Sequence, residues 1–494
     1  MRILFLILFL SVTCTYTMFA QRISFPQGVD IRPSEITPII QNGEVIGYTA
    51  YHFLKADRVK WYYKFYLMNT NFEITQEIPF DLKLGRSIDD MFFNGTSFCI
   101  ISSPGYKTYG QFDFVNLEGK LIYSFISKSY GPGNSYNIPT YFRPVKNKGF
   151  LNAGPKESEE DGSIVFLNNE GKKVYDIHAK KIPVRSGRSF DESLDFRLVT
   201  DSLLVVEAGS VWIDYRKTDH RSVNDVRIFK LNTGEDLNLI SMIHKEGRLV
   251  PVSFAPRKDG FSICGKYFEF DDTREGYSDE NLKGIYMQRF NNEGQLVKEV
   301  FVPTERIASL KDQQGKEIIG KDWGIWIQSI IEMANGKTFL IGESYFEGAK
   351  VSEKIAIGDF KVIEFDENFS PIKVHQISKI GSKHPFAILD ASSYRIGKLV
   401  EKWYDYQYSI LNSSRTVFTS IYTSYNHSTR NPEEKYTIGA VVYNLDGEIV
   451  NPTITLDNFP KNIAFIPAKI GYAAVFEYDE AGKDLSLTLY KFDF

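Results

Sequence analysis

The segment Trp212-Ile213-Asp214-Tyr215-Arg216-Lys217-Thr218-Asp219-His220-Arg221 gathers an aromatic ring, carboxylates, basic groups and a histidine within ten residues. Arg216 and Arg221 could clamp an anionic ligand through charge-assisted hydrogen bonds, with Arg185 and Arg188 as neighbours if the adjacent loop folds inward. The same residues would also make a solvated loop tied by local salt bridges. In Gly342-Glu343-Ser344-Tyr345, Glu343 is a lone carboxylate, and acid–base chemistry ordinarily needs a partner. Trp212, Arg216, His220 and Arg221, with Glu343 and Tyr345 from a distant segment, are the candidate ligand-binding residues.

Metal and cofactor signals are weak. Asp271-Asp272-Thr273-Arg274-Glu275-Gly276 spaces oxygen ligands like the start of a calcium loop, and Asp271, Asp272 and Glu275 could hold a structural calcium. Leu282 stands where an EF-hand needs its bidentate Glu. The seven histidines are scattered without zinc-ligand spacing. The sequence has no His-Glu-x-x-His, no Gly-x-Ser-x-Gly, no P-loop and no dinucleotide-binding glycine fingerprint. Neither a cofactor nor a catalytic residue is expected from these motifs.

The elements that must position these residues are announced by two sets of turn signals. One set is Asn42-Gly43, Asn94-Gly95, Asn147-Lys148-Gly149, Asp201-Ser202, Lys258-Asp259-Gly260, Asn335-Gly336, Asn412-Ser413 and Lys469-Ile470-Gly471. The other is Asn69-Thr70-Asn71, Asn116-Leu117-Glu118-Gly119, Asn168-Asn169-Glu170-Gly171, Asn232-Thr233-Gly234, Asn291-Asn292-Glu293-Gly294, Asp366-Glu367-Asn368 and Asp446-Gly447. Asn, Asp and Gly tolerate the positive φ of tight hairpins, and two hairpins per period make a four-stranded propeller blade. Each blade's strands are lettered A to D outward from the channel.

Eight units are expected, near 36–82, 88–127, 139–179, 194–243, 249–303, 324–378, 403–457 and 461–494, or seven blades if two units merge. The last unit supplies strands A, B and C only. A strand from Arg22–Ile31 is expected to complete it and close the ring. The A–B and C–D turns are tight, whereas the long B–C and D–A connections share the opposite face. Long loops on one face of a repeat fold mark its binding face.

Arg2 followed by the apolar run Ile3–Val12 is too short to span a bilayer and reads as a secretory leader, with cleavage placed after Ala20. A lipoprotein anchored through Cys14 is the alternative. The remaining residues, 21–494, are read as one propeller domain, exported to the periplasm or beyond and expected as a monomer. The 58 basic and 62 acidic residues nearly balance, which argues against a nucleic-acid binder. Cys99 and Cys264 sit in apolar runs of different units and are expected as buried free thiols.

The hairpin phrases Phe114-Val115-Asn116-Leu117-Glu118-Gly119-Lys120-Leu121 and Phe290-Asn291-Asn292-Glu293-Gly294-Gln295-Leu296-Val297, together with a leader ending at Ala20-Gln21, resemble those of uncharacterised secreted β-propellers of Gram-negative bacteria of the Bacteroides–Flavobacterium type. The resemblance implies a periplasmic or extracellular address and carries over no catalytic residue. Two classes of function fit. One is a binding or scaffolding module for an envelope or extracellular protein or glycan. The other is a polysaccharide lyase or hydrolase with its site at the channel mouth.

Overall fold

The structure is a computed structural model that describes residues 20–25, 31–32, 35–41, 43–104, 110–127, 142–153, 164–183, 189–191, 193–211, 222–269, 282–308, 310, 323–346, 356–379, 382–383, 405–424, 436–445, 447–456, 462–478 and 485–494. Eight four-stranded antiparallel blades form an eight-bladed β-propeller. Blades 1 to 7 span 36–83, 86–127, 142–177, 193–240, 247–303, 323–377 and 406–456. Blade 8 takes strands A to C from Asn462–Ile466, Tyr472–Tyr478 and Leu485–Lys491. Short additions lengthen two sheets, Ile243–His244 beside strand A of blade 5 and Ser382–Lys383 beside strand C of blade 6.

Strand D of blade 8 comes from the N-terminal segment, as the unfinished eighth unit requires, but from residues earlier than expected. Ala20–Ile23 pairs with Leu487–Tyr490, register Ala20↔Tyr490 to Ile23↔Leu487. The Arg22–Ile31 expectation is corrected on this point. Ile31 is instead fully buried in the apolar cluster shared by blades 7, 8 and 1. Ile23 packs against that cluster from the strand, and Ile31 reaches it after the chain has left the sheet.

The C–D turns show how local chemistry sets each blade's outer hairpin. Asn116, Asn168 and Asn291 each accept backbone N–H bonds on Oδ1 from the second and fourth residues beyond, at 2.8–3.1 Å. The fourth turn residue then adopts φ near +75°, and it is Gly119, Gly171 or Gly294. Blades 1 and 6 make the same turn on Asn69 and Asp366. There the left-handed residues are Phe72 (φ 63°) and Phe369 (φ 61°). A left-handed backbone costs a non-glycine residue about 1–2 kcal/mol. Burying a phenyl ring returns about 1.5–3 kcal/mol, and ring stacking adds to it. Both rings are buried, Phe72 stacked on Tyr48 at 3.9 Å and Phe369 on Phe365 at 4.4 Å, so burial wins.

Apolar side chains lie mainly between blades. Phe65, Ile78, Phe98 and Ile100 join blades 1 and 2, while Phe339, Phe360, Phe418 and Val441 join blades 6 and 7. Cys99 and Cys264 are buried and unpaired, in blades 2 and 5. The only helix among the described residues is the single turn Thr304–Ala308 on a D–A connection. No described helix is long and apolar enough to cross a membrane.

Candidate functional site

Among the described residues, backbone and side chains tie neighbouring blades together at the tight-turn end of the channel. On the tight-turn face the A–B turns are laced to one another. Asn147 N donates to Asn94 O at 2.7 Å, and Lys148 Nζ reaches Asp201 O at 3.1 Å and Asn232 Oδ1 at 3.0 Å. The blade 7 hairpin goes further. Leu411 N donates to Gly43 O of blade 1 at 3.2 Å, past blade 8. Arg415 donates to Glu332 O of blade 6 and to Pro256 O of blade 5. One hairpin therefore ties blades 5, 6 and 1 together on this face.

Along the inner strands a β-bulge recurs. Pairing between strands A and B slips at Ile88/Asp90, Phe196/Leu198, Pro251/Ser253, Ile327/Ser329 and Tyr406/Tyr408. The extra residues are Asp89, Arg197, Val252, Gln328 and Gln407. A bulge leaves its extra residue out of the ladder and re-aims its side chain, and strand A has only the channel on its inner side. Five blades thus use the same backbone device, presenting Asp, Arg and Val once each and Gln twice.

Three polar groupings follow from these bulges. In blades 3 and 4, Arg197 pairs with Glu207, and burial together with Arg197 lowers the pKa of Arg143. In blade 2, burial, set against a hydrogen bond from Met91 N, pushes Asp90 up to about 6, with Asp89 adding to the rise. Glu35, Asp89 and Asp90 are also close enough to raise Tyr51, although burial is the main cause there.

The third grouping joins blades 6 and 7 at the loop-rich end. Glu343 Oε1 lies 3.0 Å from Lys379 Nζ and accepts from Asp405 N at 3.1 Å, while Gln328 Nε2 donates to Oε2 at 3.4 Å. Lys379 also contacts the Asp405 carboxylate, and the side chains of all three ionisable residues are shut off from solvent. Two carboxylates share one ammonium. Burial therefore raises Glu343, to about 7, against the opposing pull of Lys379 and with help from Asp405. Tyr406 also faces this carboxylate.

A carboxyl raised above its ordinary 4.5 keeps its proton in the folded chain where the unfolded chain has lost it. Stability then falls as pH rises from about 4.5 towards about 7. Glu343→Gln should flatten that fall. Urea titrations of both proteins at about pH 5 and about pH 8 check this. Parallel pH profiles would show that Glu343 does not titrate in this range.

Among the described residues, blade 1 carries the most prominent feature of the loop-rich end. Its strand A (Ile36–Gln41) has six residues and its strand B (Glu44–Ala56) has thirteen. With Ile36 opposite Ala50, residues 51–56 and their partners in strand C continue past the inner strand for roughly 20 Å. Asp57 closes this arm, accepting from Val59 N and Lys60 N on Oδ1 and from the Tyr62 hydroxyl on Oδ2. Phe53 meets Trp61 and Tyr63 edge-on at 5.7 and 5.6 Å, and Tyr51 meets Tyr63 at 6.3 Å. Phe53 is 45% exposed and Val59 65%, so the arm holds apolar surface out in solvent.

Trp212, Arg216, His220 and Arg221 lie outside the described residues, as do Arg185, Arg188, Asp271, Asp272 and Glu275. Glu343 and Tyr345 are both on strand B of blade 6, near its loop-rich end. Glu343 is not on an open mouth, because Lys379 and Asp405 enclose it. Those two partners come from the roots of the D–A connection, 26 residues apart, and nothing local in the sequence joins them. The arm was not legible in the sequence, because the alternating aromatics of Trp61-Tyr62-Tyr63-Lys64-Phe65-Tyr66 suit a blade core or outer surface equally well. Among the described residues, no group of three or more His, Cys, Asp and Glu is placed to hold a metal ion.

The chain belongs to a family of unknown function, DUF6770, whose model matches residues 1–493. No curated protein matches it in sequence. Among solved structures it is similar to a prolyl endopeptidase, at 10% identity over 90% of this chain and 54% of that one, TM-score 0.37. A post-proline cleaving enzyme from Rickettsia typhi shows 10% identity over 90% of this chain and 58% of that one, TM-score 0.36. A Synechocystis apocarotenoid oxygenase shows 10% identity over 97% and 94%, TM-score 0.34. The chain spans little more than half the length of the two proline-directed enzymes. The propeller assignment rests on the strand pairing and not on these distant likenesses.

Proposed function

We propose that this protein is an exported binding propeller that holds a partner from the cell envelope or its surroundings on the loop-rich face. In this reading residues 1–20 are the leader and 21–494 the single functional domain. The observation that carries it is the blade 1 arm, a closed hairpin holding aromatic surface beside the carboxylates Glu35, Asp89 and Asp90. Rings that hold apolar surface in solvent next to hydrogen-bonding carboxylates suit a glycan, whose C–H faces stack and whose hydroxyls donate. The strand pairing is compatible with that leader. Cleavage after Ala20 leaves Gln21–Ile23 to complete blade 8, whereas cleavage beyond Ile23 would remove its strand D.

Screening the purified chain against a glycan panel, with pull-down from envelope extract in parallel, tests the reading. Phe53→Ala should weaken glycan binding by about 1 kcal/mol or more through lost stacking, with little effect on stability because the ring is half exposed. A protein partner captured on the arm would replace the glycan, and a footprint confined to the tight-turn face would reject the site. The raised Asp90 supports a second reading, a hydrolase or lyase acting on polysaccharide, in which Asp90 supplies a proton. Product release from a bound polysaccharide, abolished by Asp90→Asn with binding retained, would establish it.

A further inference from the structure

A propeller blade leaves one side of its outer strand unpaired, and such an edge is a template for another chain unless charge, proline or shortness blunts it. Seven of the eight outer strands here are blunted in one of those ways. Glu77, Asp176, Asp236, Lys298, Lys373 and Arg22 stand in the outer strands of blades 1, 3, 4, 5, 6 and 8. The outer strand of blade 7, Thr453–Leu456, has four residues and follows Pro452. Blade 2 differs. Its outer strand, Leu121–Ser127, reads Leu-Ile-Tyr-Ser-Phe-Ile-Ser, seven residues with neither charge nor proline.

The strand is also apolar where it meets solvent. Leu121, Ile122, Tyr123 and Ile126 are 41–49% exposed. Strand C of the blade covers one side, in register from Gly110↔Ser127 to Val115↔Leu121. Among the described residues, no further strand and no other backbone hydrogen bond reaches the outward side. An antiparallel strand bonds its neighbour through alternate residues, so the remaining N–H and C=O groups face outward. The bulge at Ile122 does not set this edge apart, because the same one-residue slip follows the outer turns of blades 1, 3, 4, 5 and 6. The absence of charge does.

The order of side chains selects the occupant. Antiparallel pairing with an identical strand, about a two-fold axis at Ser124, sets Tyr123 opposite Phe125 and Ile122 opposite Ile126, each twice. Aromatic and β-branched pairs of this kind stabilise a sheet. A strand carrying Lys, Arg, Asp or Glu would find no counter-charge on this edge, and every other outer strand of five or more residues in this protein carries one. We propose that two copies of this chain associate edge to edge through Leu121–Ser127, joining two four-stranded blades into one eight-stranded sheet. The same patch serves both copies, so the assembly closes at two. One strand pair buries less than the roughly 800 Å² per partner of a standard interface, so the chain is a monomer when dilute and dimerises with a Kd above about 1 μM. The proposal is independent of what the blade 1 arm binds.

Sedimentation of the full chain over about 1–200 μM should show the mass rising from monomer to dimer and no further. Amide exchange within residues 121–127 should slow at the top of that range relative to the dilute chain. Two doubly charged variants locate the contact, Ile122→Lys with Ile126→Lys and Ile122→Glu with Ile126→Glu. Both positions are half exposed, so each variant should fold as the wild type does. Each should weaken self-association by roughly tenfold or more, because like charges then face each other in both pairs. Mixed in equal amounts, the two should recover the dimer, since every Lys then meets a Glu. A wild-type chain that stays monomeric throughout, charged variants that dimerise as before, or a mixture that does not recover would overturn the proposal. If either variant folds poorly, the wild-type exchange decides alone, and protection that is absent or confined to another edge rejects it.

Discussion

Glu332→Ala should lower the stability of the chain by about 3–5 kcal/mol, the cost of leaving buried charge without its counter-ion. The magnitude follows from how many groups lose a partner together. Arg257, Arg289 and Ser262 all direct their side chains at this one carboxylate. Its removal leaves Arg257 with Asp259 alone and brings uncompensated guanidinium groups against each other. Their mutual repulsion is already visible in the protein. Burial first and Arg257 second lower the pKa of both Arg289 and Arg415, the latter to about 10. Glu332→Gln keeps an acceptor for Ser262 and should cost less than the alanine variant. Urea denaturation with a shared m-value measures both. A loss below about 1 kcal/mol for Glu332→Ala would mean that solvent reaches these arginines and screens them.

Deleting residues 485–494 should prevent the chain from folding to a monomer. Those residues form strand C of blade 8, paired with Tyr472–Tyr478 on one side and with Ala20–Ile23 on the other. Without them two edges open together, and the apolar cluster of blades 7, 8 and 1 loses Leu487, Leu489, Tyr490 and Phe492. Each large side chain returned to water costs about 1.5–3 kcal/mol, so four of them approach or exceed the whole stability of a typical domain. Light scattering after size exclusion should find aggregate, or an expanded chain that binds a hydrophobic dye. Removing only residues 20–23 is the milder test, since Gln21 and Arg22 are exposed strand residues with little apolar surface to lose. It should lower stability and create a sticky edge while leaving seven blades intact. A well-folded monomer from the larger deletion would show that ring closure is dispensable.

The fold was written in local chemistry. Asn116, Asn168 and Asn291 each fix an outer turn with their own side chain, and Gly119, Gly171 and Gly294 accept the positive φ that results. Because such bonds span only a few residues, they can be read along the chain, and counting them yields eight blades and the unfinished last one. Phe72 and Phe369 show the limit of that reading. Nothing in the turn predicts a phenylalanine at positive φ, because the compensation comes from rings packed inside the interface. The site was less legible for the same reason. Glu343 could be singled out as a carboxylate near the loop-rich end, but its Lys379 and Asp405 partners arrive from another connection and the next blade. Glu332 drew no attention in the sequence, yet it gathers side chains from positions 70 and 75 residues away. The sequence by itself determined the hairpins, their number and the faces their loops share, since each depends on φ, hydrogen bonds and alternation within a few residues. Only the tertiary structure decided which charges meet and which are sealed from water. A pKa or an ion pair depends on distance and burial, and ring closure sets both between residues that are remote along the chain.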